Sequence, residues 1–171
     1  ERISNDLCSL RANEDRPALA VRMIIGADGR KRSHTFHRVL IRSAARLHYE
    51  QAQLAMSGRP DEVTELLVTK ILEPLYAAYR SVRHARDERD PLDLEIPERK
   101  ILLKSDGMVD RVIIPQRVEA HRLIEEFMIL ANVAAAETCE RARVPLIYRV
   151  HDEPTQEKLN ALREFLTTLD I

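Results

Sequence analysis

The sequence predicts an α+β fold in which antiparallel strands pack against long helices. Three observations carry that expectation. A short apolar run and an alternating one flank a Gly-Ala-Asp-Gly turn, and a second pair of short apolar runs flanks Ser105-Asp106-Gly107. Apolar residues then recur at helical spacing over about 60–89, 117–141 and 154–169.

In chain order, Ala18 to Ile25 is a partly β-branched run closed by Gly26-Ala27-Asp28-Gly29 and answered by Thr35 to Arg42, so strands at about 17–42 form a β-hairpin. Ser43 to Ala52 turns from strand to helix chemistry and ends at Ser57-Gly58-Arg59-Pro60, which places Tyr49 near a junction. Pro60, Asp61 and Glu62 open a helix whose stripe runs through Val63, Leu66, Ile71, Tyr76, Tyr79 and Val82; the stripe reads as core, and Pro74 should kink or divide it. Arg83 to Asp90 reads as a solvated helix end that Pro91 stops. Strands are expected again at about 92–114, beginning with the alternating Leu92–Ile96. Pro145–His151 reads as a short buried strand, and Glu153-Pro154-Thr155-Gln156 opens a last amphipathic helix.

The helix around His121–Ala136 has an unusual distribution of polarity. At about 100° per residue, His121, Glu125 and Asn132 project within roughly 40° of one another. Leu123, Ile124, Phe127, Leu130, Ala131 and Ala134 cover most of the remaining circumference. A helix apolar on so many sides is expected to be buried, and a carboxylate inside it needs a partner or a wet cleft. The alternative is a core helix with one solvated edge that also holds Arg122 and Glu126.

Composition narrows the class. With 171 residues, 44% of them hydrophobic, the chain can bury a core within one domain or a large piece of one. No apolar run approaches the roughly 18 residues of a membrane span, so no membrane association is expected. The first residues, Glu1-Arg2-Ile3-Ser4, carry neither a signal segment nor a Met, and a piece of a longer protein is expected. Cys8 and Cys139 lack zinc or disulfide spacing, which points to a reducing compartment and hence the cytoplasm. The net charge of -1 disfavours indiscriminate nucleic-acid binding. Yet residues 11–48 hold nine Lys/Arg against three acids, a local excess of +6 that could attract phosphates or simply be solvated.

No phosphate-binding glycine loop, nucleophile elbow, zinc motif or Cys/His nucleophile constellation is present. Glu125 and Glu126, adjacent on a helix, point about 100° apart and cannot act as a paired acid/base site. His121 and Glu125, one turn apart, could hydrogen-bond or share a metal.

Five ordered blocks carry a resemblance: Ile3–Leu10, Asp15–Ala20, Ser43–Tyr49, His121–Met128 with Ala131-Asn132, and Tyr148–Pro154. Together they resemble the RNB catalytic domain of the ribonuclease II and ribonuclease R exoribonucleases, over essentially the whole chain. The resemblance implies a partial RNB domain from an enzyme that hydrolyses single-stranded RNA processively, 3'-to-5', to nucleoside 5'-monophosphates with Mg2+. It also implies that the family's metal-binding aspartates lie upstream of Ile3 and its catalytic arginine downstream of Ile171. The chain would then be an internal segment, inactive alone, that supplies RNA contacts and no metal ligand. By the resemblance, Tyr49 and Glu125 face the 3'-terminal nucleotides. His121, Arg122, Asn132, Arg149 and His151 join them as RNA-binding candidates on polarity, helical phase or strand-end position. Where ribonuclease II carries a phenylalanine that stacks on the RNA end, this chain has Leu94 or a neighbour. A monomeric parent and a self-associating isolated segment are expected. The alternatives are a noncatalytic RNA-binding or scaffolding homologue of the same family, and a helical interaction module using the 61–89 stripe.

Overall fold

The computed structural model describes residues 2–91 and 99–170. Its elements are antiparallel strand pairs and helices, the predicted α+β class. After a short π-helical turn at Ile3–Leu7 come β1 (Asp15–Ile25) and β2 (Lys31–Arg42), which pair antiparallel from Asp15↔Arg42 to Ile25↔Lys31. The turn closes through Gly26 N to Arg30 O at 2.9 Å and Gly29 N to Gly26 O at 2.9 Å. Gly29 supplies the positive φ of 72°. It is buried, and a Cβ added there would lie 1.9 Å from the Ser81 carbonyl oxygen, so the hairpin tip rests on helix backbone.

The more buried side of the ribbon changes halfway. Toward its open end, Arg16, Ala18, Val39 and Ile41 are the half-buried positions; toward the tip they are Val21, Met23, Ile25, His34 and Phe36. Side chains alternate sides along a strand, so these two sets lie on opposite faces. The exchange falls at the cross-strand pair Ala20↔His37.

Helix α1 (Tyr49–Met56) precedes α2 (Glu62–Leu67), a π-helical turn at Val68–Leu72 and α3 (Glu73–Asp87). Pro74 divides the predicted long helix as expected. Its missing amide leaves the Lys70 carbonyl without the usual bond four residues on, and the wider π turn ends just before it. Asp61 caps α2. Its Oδ1 accepts from the amides of Val63 at 3.1 Å and Thr64 at 2.8 Å, and its Oδ2 from Gln51 Nε2 at 2.7 Å. The Thr64 amide first, then Gln51 and the Thr64 hydroxyl, hold the Asp61 carboxyl down at about 2, below its ordinary 3.8. A depressed carboxylate stabilises the fold fully above its unfolded value, and that contribution is lost as pH falls toward the folded value. Acid scans should therefore show a loss of stability between about pH 4 and 2 that is smaller in Asp61→Asn, which still caps but does not titrate. Parallel acid curves for the two proteins would refute the assignment.

The core lies where α3 meets α4 (Glu119–Ala142). Tyr76 and Tyr79 of α3 pack edge to face at 6.4 Å and 81° against Ala120 and Leu123 of α4, with Ala52 and Met56 of α1 at the margin. Leu72, the last residue of the π turn, and Val82 are buried as well, so the stripe is core from Leu72 onward, whereas Val63, Leu66 and Ile71 are exposed. Between α3 and α4, β3 (Lys100–Leu103) and β4 (Val109–Ile113) form a second hairpin about the expected turn, with Gly107 at φ 82°. The Leu92–Ile96 run and Leu94 lie outside the described residues.

By contacts the chain divides into two compact units, Glu1–Ala135 and Ala136–Ile171. The second holds the end of α4, closed at Arg143 with φ 53°, and α5 (Gln156–Thr167), capped by Thr155. Val144 N bonds back to Cys139 O at 3.1 Å, the Schellman closure. Two expectations need correction. Pro145–His151 forms no strand and is exposed, Ile147 at 97%; β-branched residues favour a ladder but cannot make one without a partner. Nor is α4 buried nearly all round: Ile124, Met128, Ile129 and Val133 are exposed.

Candidate nucleic-acid interface

Tyr49 begins α1 directly after the extended connection from β2, with His48 as the residue before the first turn. Its ring stacks on that of His121, in the first turn of α4, with centroids 4.0 Å apart and planes 25° apart. Gln53 Oε1 accepts the Ala120 amide at 3.2 Å, which ties α1 to the start of α4 and sets the two rings opposite each other. Tyr49 is 42% exposed, while Nδ1 of His121 is buried without a hydrogen-bond partner. An apolar groove of about 170 Å³ runs beside the stack between Leu47, Leu72, Leu75, Tyr76 and Leu123. Burial first, then Glu119 and Tyr79, raise the Tyr76 hydroxyl above its ordinary value.

One helical turn beyond His121, the adjacent carboxylates of α4 diverge. Glu125 is half-exposed and its Oε2 accepts from Arg117 Nη2, at the start of the segment leading into the helix. Glu126 is 6% exposed and its Oε1 accepts from Arg86 Nη1 of α3. The carboxylate buried by α4 is thus Glu126, which the solvated-edge reading placed in water. The helical wheel could not choose, because apolar residues flank both arcs; the guanidinium of Arg86, 40 residues away, decides it. A buried carboxylate needs such a partner. Arg117, Arg122, Arg83, Arg86, Glu125 and Glu126 line one cleft of about 210 Å³ whose floor includes Tyr79. Arg83 Nη1 donates to the Tyr79 hydroxyl at 3.2 Å.

Tyr49 and His121 are therefore brought together, while Arg122 and Glu125, in the next turn of α4, line the separate charged cleft. Asn132 lies exposed on the same helix, roughly 10 Å further along its axis at 1.5 Å per residue. Arg149 and His151 belong to the second unit, in the exposed stretch before α5. There the Tyr148 hydroxyl donates to Glu140, which raises it above its ordinary value. Arg117 and Arg86 are the residues that sequence reasoning passed over. Arg117 sits eight residues before Glu125, beyond the reach of a side-chain pair within a helix, and meets it only because α4 begins at Glu119 and leaves Arg117 in the segment before it; Arg86 lay in a charge run that reads as solvated.

The basic excess of residues 11–48 is not one stripe. Arg11, Arg16, Arg32 and Arg42 are paired with Asp6, Glu14, Asp28 and Asp15. Arg22 and Arg38 stand exposed on opposite faces of the ribbon, since Arg38 pairs with Leu19, which lies three residues from Arg22 on β1 and so on its other side. Among the described residues no three His, Cys, Asp or Glu side chains converge on a point where a metal ion could sit. The α4 carboxylates face guanidinium groups, a donor set that does not fit magnesium. Cys8 and Cys139 are both free thiols, and no described helix is long and apolar enough to cross a membrane.

A model of the RNB domain family matches residues 1–171. Ribonuclease R of Escherichia coli (strain K12) is 34% identical over 172 residues, covering 100% of this chain and 21% of that protein. Ribonuclease R of Aquifex aeolicus is 36% identical over 172 residues, covering 99% of this chain and 24% of that protein. The chain thus spans less than a quarter of either relative's length. The apo form of Mycoplasma genitalium RNase R superposes with a TM-score of 0.90 at 24% identity, covering 100% of this chain and 27% of that one. A structure of the same protein in complex with ribose methylated single-stranded RNA gives the same TM-score and coverage.

Proposed function

The chain belongs to the RNB domain family over its whole length, and from that premise we propose that it is an internal segment of an exoribonuclease catalytic domain, forming part of the wall along which single-stranded RNA runs. The observation that carries this reading is the Tyr49–His121 stack set one turn of α4 from Glu125. An aromatic ring stacks on any base, which suits an enzyme that must pass every sequence. A carboxylate one turn away can accept from a ribose 2'-hydroxyl, the group that separates RNA from DNA. Solved structures of Mycoplasma genitalium RNase R in complex with ribose methylated single-stranded RNA and with double-stranded RNA support RNA as the ligand here.

The parent enzyme would hydrolyse RNA processively, 3'-to-5', to nucleoside 5'-monophosphates in the cytoplasm. Its magnesium would be held by ligands outside these residues, so the isolated chain should be inactive. Arg122, Asn132, Arg149 and His151 are proposed as further contacts to the strand. Exposed apolar residues such as Ile147, Met128 and Phe165 would favour self-association of the isolated chain, with a monomeric parent. The test is a time course of 5'-labelled single-stranded RNA with magnesium, scored for binding and cleavage. Binding should weaken about tenfold in Tyr49→Ala, the loss of one stacked base. Cleavage by the 171-residue chain alone would sink the claim that the metal ligands lie elsewhere. Binding without cleavage by the intact protein would identify a noncatalytic homologue instead.

A further inference from the structure

We infer that Arg117 is a positioning residue for Glu125, fixing the carboxylate by which the RNA wall recognises a ribose hydroxyl. The inference rests on the proposed role of Glu125 and extends it to a residue outside every sequence block that carries the family resemblance. Arg117 approaches from the segment before α4 and bonds Oε2 of Glu125. A carboxylate has two oxygens, and the second, Oε1, keeps lone pairs for a hydroxyl donor. Without Arg117, a half-exposed glutamate samples several rotamers and is solvated in each. Held by a guanidinium, it presents one oxygen in one direction, so less ordering remains to be done when RNA arrives.

The neighbouring pair distinguishes this role from plain stability. Arg86 performs the structural pairing, because its partner Glu126 is buried. Arg117 and Glu125 have side chains 46% and 45% exposed, where an ion pair adds little to folding. Their shared cleft is also lined by Arg122, itself an RNA-binding candidate. A pair that contributes little to the fold yet holds a carboxylate one helical turn from His121, in a cleft lined by further guanidinium groups, is placed to shape a ligand.

The experiment compares the affinity of the intact protein for an RNA oligonucleotide with that for the same oligonucleotide carrying 2'-deoxyriboses at its 3'-terminal positions. Glu125→Ala should lower the preference for RNA about tenfold, the loss of a hydrogen bond to a charged group. Arg117→Ala and Arg117→Gln should lower the same ratio by a similar factor, with Arg117→Lys recovering part of it. The double variant should add little to either single one, and melting temperatures should be almost unchanged. If Glu125→Ala lowers the ratio and the Arg117 variants leave it intact, the positioning role is overturned and the Glu125 reading survives. If the Arg117 variants weaken both oligonucleotides equally, Arg117 touches phosphate directly and the inference also fails. A ratio unmoved by Glu125→Ala removes the ribose reading and the role of Arg117 together.

Discussion

Gly29→Ala is expected to cost about 3 kcal/mol and to lower the melting temperature by roughly 10 °C. Two effects combine. A positive φ of 72° is unfavourable for any residue with a Cβ, and this Cβ would lie 1.9 Å from the Ser81 carbonyl oxygen and 2.9 Å from Ala85 Cβ. The helix backbone of α3 cannot yield as a flexible side chain would, so the hairpin tip must lift away. Gly58 and Gly107 provide the control. Both have positive φ, at 79° and 82°, with open space around the added Cβ, so Gly→Ala there should cost only about 1 kcal/mol. Equal losses at all three glycines, measured by thermal denaturation, would show that the tip is not docked on α3.

Glu126→Ala and Glu125→Ala should separate stability from ligand binding at adjacent positions. Removing the buried Glu126 carboxylate breaks its ion pair with Arg86 at the α3–α4 contact. Breaking a buried pair costs about 3–5 kcal/mol. Arg86 is one-third exposed and can recover water, so about 2–3 kcal/mol is expected. Denaturant unfolding should show that loss for Glu126→Ala and almost none for Glu125→Ala, with the order reversed when RNA affinity is measured. A Glu126→Ala protein as stable as the parent would mean that the pair does not join α3 to α4.

Much of this was legible in the sequence because it is local. The Gly-Ala-Asp-Gly turn with alternating flanks specifies β1 and β2, Ser105-Asp106-Gly107 specifies the second hairpin, and Pro74 marks a helix boundary. What was not legible depends on partners distant in sequence. Pro145–His151 has strand chemistry but pairs with no described strand, so it stays irregular and exposed. Which of two adjacent glutamates α4 buries is decided by Arg86 on another helix. Tyr49 could be placed at a junction, but its stacking on His121 arises only once Gln53 ties α1 to α4. Arg117 falls at the edge of the expected 117–141 helix, and its pairing with Glu125 depends on α4 beginning two residues later.

The exchange of faces at Ala20↔His37 also protects the ribbon against misalignment. In a hairpin with uniform alternation, sliding one strand by two residues restores the same inside-outside pattern, and only a one-residue slip is penalised. Here the half-buried parity changes at matched points on both strands. A two-residue slide would therefore set one strand's crossover against the other's regular stretch, opposing an inward residue to an outward one. Both the odd and the even near-neighbour alignments are disfavoured, so a long element that is two-stranded among the described residues still has a single preferred pairing.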